Sequence, residues 1–105
     1  MSKSNFISEF VKSENKIGAI APSSKYLAKK MLAKINFSTD LNIVELGPGT
    51  GVITSKLLKK MSPNSKLLSL ELNPYFASKI RKSVHDSRFL IRCDSAENIN
   101  TVLKQ

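Results

Sequence analysis

The chain has 105 residues and a mass of 11.6 kDa, enough for one small domain and too little for two. With 41% hydrophobic and 24% charged residues it is too apolar to remain disordered, and its single cysteine, Cys93, excludes an internal disulfide and a cysteine-rich metal site and suits a reducing, cytoplasmic setting. The formal net charge of +9 points to anionic partners, either nucleic acid or an anionic membrane surface, although lysines spread along the whole length also describe an ordinary solvated surface.

Near the N-terminus, Phe6, Ile7, Phe10 and Val11 recur at helical spacing among Lys3, Glu9, Lys12 and Glu14. This short amphipathic helix can bury its apolar face in the protein's own core or lay it in a membrane interface, and the core is the commoner home. Glu9 and Lys12 break up any signal-like apolar core, and no apolar run reaches the ~18 residues of a membrane span. In Ile17-Gly18-Ala19-Ile20-Ala21-Pro22-Ser23-Ser24, glycine and proline punctuate an apolar stretch and a serine is placed to cap the helix that follows. That helix carries Leu27, Met31, Leu32 and Ile35 on one face, and residues 36–40 form its exit loop.

From residue 41 the pattern changes. Asn42-Ile43-Val44-Glu45-Leu46 is β-prone and ends in the turn Gly47-Pro48-Gly49-Thr50-Gly51. Ile53, Leu57, Leu58 and Met61 mark a helix; residues 66–71 give a second strand; Asn73-Pro74 opens a helix carrying Phe76, Ile80 and Val84. Residues 89–93 give a third strand, followed by a turn and a weakly helical end. Strands and helices that alternate through short loops describe a parallel βαβαβ unit, half of a doubly wound α/β fold, with helices before it. The expected division is a helical segment over 1–36 and a partial ligand-binding domain over 37–105.

In an open parallel sheet, ligands bind beyond the carboxyl ends of the strands. Three such ends are expected here: 45–51, 71–73 and 94–96. Gly47, Gly49 and Gly51 let the backbone turn tightly and approach a ligand, and Pro48 stiffens the turn. Glu71, twenty residues past Gly51, is placed to accept hydrogen bonds from both hydroxyls of a ribose, and Asp94 from an exocyclic amine. Together they describe a nucleoside at the sheet edge. The G-x-G-x-G spacing disfavours a dinucleotide whose pyrophosphate sits on a helix N-terminus.

Val44-Glu45-Leu46-Gly47-Pro48-Gly49-Thr50-Gly51, Leu70-Glu71-Leu72-Asn73-Pro74 and Cys93-Asp94-Ser95-Ala96 resemble the first three motifs of class I S-adenosylmethionine-dependent methyltransferases. The resemblance implies an incomplete Rossmann-like domain that binds S-adenosylmethionine. Glu45, Gly47, Pro48, Gly49, Thr50 and Gly51 would lie against the methionine portion, Glu71 on the ribose, and Asp94 and Ser95 near the adenine; no metal is implied. Residues 6–31, together with Glu71-Leu72-Asn73-Pro74-Tyr75-Phe76, resemble bacterial phospholipid N-methyltransferases, peripheral membrane enzymes that methylate the amine of phosphatidylethanolamine.

The resemblance covers only the front half of that domain. The groups that would orient an acceptor are not represented, and no catalytic residue can be assigned. Two alternatives stand beside the lipid reading. One is a ribosomal RNA adenine dimethyltransferase, whose basic surface would meet RNA, although Asn5-Phe6-Ile7 lacks that family's Gly-Gln setting. The other is a non-catalytic product of a split or decayed gene, which either docks with a separately encoded second-half chain or folds poorly with an exposed sheet edge. His85 reads as an exposed loop residue and Cys93 as a small buried hydrophobe; Arg81, Lys82, Arg88 and Arg92 could track phosphates, and a solvated helix face and strand edge explain them as well.

Overall fold

The computed structural model describes residues 6, 10, 17–20, 29, 30 and 32–103. Four parallel strands form one sheet in the order β1 (Ile17–Ile20), β2 (Asn42–Leu46), β3 (Lys66–Leu70) and β4 (Phe89–Arg92). Between them run α1 (Val52–Lys60) and α2 (Pro74–Ser83); a short 3-10 turn, Ala96–Asn98, leads into α3 (Ile99–Leu103).

The three strands expected from residue 42 onward are present. The fourth is a correction, because Ile17–Ile20 is not a punctuated loop but an edge strand, with Ile17 opposite Asn42 and Ile20 opposite Glu45. Four residues with an interior glycine carry almost no local β signal. What makes them a strand is the open edge of β2, whose backbone groups need partners. Pro22, Ser23, Ser24, Leu27 and Met31 of the expected cap and helix lie outside the described residues, as do Ile7 and Val11. Lys29, Lys30, Leu32 and Ala33 are helical.

Side chains alternate across the strands and so build two apolar layers. On one face Ile43 and Leu67 pack with Leu32 and with Leu57, Leu58 and Met61 at α1, while Ile91 packs with Ala77 and Ile80 of α2. On the other, Val44, Leu68 and Leu70 pack with Phe6, Phe10 and Val102. A consecutive strand order with the crossover helices on one face is what successive right-handed connections produce. Phe6 and Phe10 are fully enclosed, with ring centroids 6.2 Å apart, so these two side chains find their home in the core and are not held out for a membrane.

Arg88 ties the base of the helix layer together. Its guanidinium donates to the carbonyls of Leu58 at 2.8 Å, Met61 at 2.8 Å and Ser62 at 3.3 Å, and pairs with Asp86 at 2.7 Å. The Leu58 and Met61 carbonyls lie at the C-terminal end of α1, where a helix leaves acceptors without intrahelical partners and its dipole also favours a cation. The hydrogen bonds from Arg88 hold the Asp86 carboxyl below its ordinary range, and Asp86 in turn raises the guanidinium. Arg88 is therefore a structural brace and not a solvated strand-edge residue, which corrects the sequence reading. Arg88→Ala is expected to cost about 2–3 kcal/mol, with Arg88→Lys recovering only part of it, because an ammonium cannot span the same fork of acceptors; urea denaturation of the two variants measures both.

Candidate functional site

Because all four strands run the same way, their carboxyl ends meet at one pole. After β2, the Gly47 amide still donates to Leu70 at 2.8 Å, and the chain then turns, with the Gly51 amide donating to Pro48 at 3.0 Å. Gly49 and Gly51 have φ of +59° and +86°, the left-handed region that L side chains rarely adopt. At Gly51, which caps α1, a Cβ would also stand 3.3 Å from the Ile80 side chain, which would have to shift to make room for it. A Cβ at Gly47 or Gly49 would meet nothing within 4 Å. The space over this part of the turn is open, as a cradle for a ligand requires. Pro48 is buried below it and Thr50 is exposed.

Glu71 follows β3 immediately, and only 7% of it is exposed. One carboxylate oxygen accepts the Gly49 amide at 2.8 Å and the other the Asn73 amide at 2.9 Å. Asn73 in turn caps α2, its side chain accepting the Tyr75 amide at 2.9 Å, with Pro74 at the first helical position. The carboxylate thus bridges the glycine turn and the start of α2. Each of its oxygens has a further lone pair for a hydroxyl donor.

Asp94 adjoins it. Its amide donates to the Glu71 carbonyl at 3.1 Å, and its Oδ1 accepts the Ser95 amide at 2.8 Å and the Asn98 side chain at 2.7 Å. The hydrogen bond from Asn98, then that from Ser95, keeps the carboxyl below its ordinary range, so it is an acceptor at neutral pH. Ser95 accepts the Glu97 amide at 3.2 Å and closes the turn into the 3-10 segment.

Glu45 is placed differently from the other expected site residues. It is fully buried, and one carboxylate oxygen accepts from Thr54 of α1 at 2.6 Å and from Ser69 of β3 at 2.7 Å. The second oxygen has no partner. In this arrangement Glu45 braces the turn from beneath and has no exposed surface to offer a ligand. Its contacts Thr54 and Ser69 carry no mark in the sequence, since nothing local says which serine or threonine will face a buried acid. The structure also shows a cavity of about 220 Å³ between the turn and α2, lined by Gly49, Thr50, Phe76, Lys79, Ile80 and Ser83, with no sequence signal of its own. Cys93 is exposed, contrary to expectation, because β4 ends at Arg92 and the chain leaves the sheet there. His85 is exposed in its loop.

Residues 4–96 match the sequence profile of the ribosomal RNA adenine dimethylase family. The chain belongs to that family of S-adenosylmethionine-dependent methyltransferases. It is also 34% identical over 77 residues to an ornithine lipid N-methyltransferase of Singulisphaera acidiphila, a match that covers 73% of this chain and 40% of the relative. To a malonyl-[acyl-carrier protein] O-methyltransferase of Ilyobacter polytropus it is 32% identical over 84 residues, covering 76% of this chain and 30% of the relative. The chain therefore spans well under half the length of these relatives. No solved structure matches it significantly.

Two measurements test this arrangement. Burial raises the Glu45 carboxyl above its ordinary 4.5. Its contribution to stability is then fully present below about pH 4.5 and is lost as pH rises through the higher folded value. Glu45→Gln, which cannot ionise, is expected to gain on the parent in urea midpoint at pH 7.5 and to lose that advantage by pH 4; an equal difference at both pH values would show that no buried ionisation is involved. Gly51→Ala is expected to cost about 1–2 kcal/mol through its left-handed backbone, with the crowding against Ile80 added, read from the same denaturation.

Proposed function

We propose that the chain holds S-adenosylmethionine over the turn at 47–51 and serves methyl transfer to the amine of a membrane lipid, with phosphatidylethanolamine as the acceptor. The observation that carries the cofactor part is the Glu71 carboxylate, fixed by two backbone amides at the pole where the glycine turn leaves open space. The lipid part is supported by the 34% identity to an ornithine lipid N-methyltransferase and by the resemblance of residues 6–31 and 71–76 to phospholipid N-methyltransferases.

In this reading Glu71 receives the two ribose hydroxyls, and Asp94, ionised and locally fixed, accepts from the exocyclic amine of the base. The positive-φ turn lets the backbone come close to the methionine portion, and Glu45 holds that turn against α1 and β3. The bound cofactor supplies an electrophilic methyl carbon on a sulfonium. What this chain's residues contribute is orientation, which can be the larger share of such a reaction's acceleration.

Isothermal titration with S-adenosylmethionine is expected to show saturable binding, weakened roughly 10- to 100-fold in Glu71→Ala by loss of charge-assisted hydrogen bonds. A folded chain that takes up no cofactor overturns the assignment. Incubation with methyl-labelled cofactor and detergent-dispersed phosphatidylethanolamine, beside a single-stranded RNA, tests the acceptor. Label in the lipid head group supports the reading; label in RNA adenine alone overturns it in favour of a nucleic-acid substrate.

A further inference from the structure

The core leaves three large apolar side chains exposed among the described residues: Val52 at 48%, Leu72 at 71% and Tyr75 at 62%. All three lie at the pole where the strands end. Val52 is the first residue of α1, Tyr75 the second of α2, and Leu72 stands between Glu71 and the α2 cap. The two helices repeat one pattern, an exposed apolar residue at the start and an exposed lysine four positions later, Val52 with Lys56 and Tyr75 with Lys79. Four residues of helix advance about 6 Å, so each ammonium sits roughly one turn behind its apolar neighbour; Lys79 Nζ is 5.2 Å from the Tyr75 ring. Neither helix contains an acidic residue, and the chain carries +9.

Apolar tips with cations one turn behind them match an anionic bilayer, whose acyl boundary lies below a layer of phosphates. With Phe6 and Phe10 enclosed in the core, those two are not available for that contact, and among the described residues no helix is long and apolar enough to cross a membrane. We infer that the protein docks on anionic lipid through this pole, with Val52, Leu72 and Tyr75 entering the interface and Lys56 and Lys79 meeting phosphates. The inference rests on the lipid-amine reading and gives it a geometry, in which the cradle over the glycine turn faces the layer from which head groups arrive.

Sedimentation with phosphatidylcholine vesicles, with and without phosphatidylglycerol at low salt, tests it. The parent is expected to bind the anionic vesicles only. Val52→Ser combined with Tyr75→Ser, and separately Lys56→Gln combined with Lys79→Gln, are each expected to lower partitioning at least about tenfold, with thermal melts matching the parent because all four side chains are solvent-exposed. If the parent binds but neither double variant weakens it, this pole is not the docking face. If the parent ignores all vesicles, or if single-stranded RNA binds in the same lysine-dependent way while vesicles do not, membrane docking at this pole is overturned. In each of these cases the labelling of detergent-dispersed phosphatidylethanolamine independently decides whether the lipid-amine reading survives.

Discussion

The Glu71 carboxylate is the contact on which the organisation of the pole depends. β2 and β3 lie side by side along their whole length, but past the bond from the Gly47 amide to Leu70 no further ladder holds their continuations together. Glu71 replaces it by accepting amides from Gly49 on one side and Asn73 on the other. A backbone that turns with positive φ is entropically costly to order, and a buried, charge-assisted acceptor is among the stronger means of fixing it. The same bonds aim the carboxylate, so ordering the turn and presenting an acceptor at the cradle are one event.

The two glutamates that follow hydrophobic strand residues are both buried but bonded differently, because one lies inside its strand and the other just past the end. Glu45 is still inside β2, on the face that α1 covers, and is sealed against Thr54 and Ser69. Glu71 is one residue past the end of β3, where its oxygens meet the backbone amides of Gly49 and Asn73. One is a sealed internal brace with an unpartnered oxygen, the other a nearly buried acceptor at the pole with both oxygens bonded. A half-satisfied buried carboxylate is destabilising in general, and its retention beneath the turn fits the tendency of local conflicts to gather where a site is built.

The relatives differ in the acceptor that their names print. One bears the name of a lipid N-methyltransferase and the other of an acyl-carrier-protein O-methyltransferase, and both align with about three quarters of the chain. In the fold, the glycine turn, Glu71 and Asp94 lie together at the pole where the strands end.

The sequence by itself determined the elements from residue 42 onward, the glycine turn and the acids at the strand ends, because hydrophobic period, capping residues and turn chemistry act over a few positions. The Asn73-Pro74 helix start and the Gly47-Pro48-Gly49-Thr50-Gly51 turn are legible in this way. Only the tertiary structure decided that Ile17–Ile20 is a strand, that Phe6 and Phe10 belong to the core, that Glu45 is sealed away, that Arg88 braces α1 and that Cys93 is exposed. Each of these depends on a partner, or on the lack of cover, supplied by residues distant in the chain: Asn42 and Glu45 for the strand, Thr54 and Ser69 for Glu45, Leu58 and Met61 for Arg88. Local pattern shows that a residue wants burial or a hydrogen bond; the folded sheet determines which residue meets that demand.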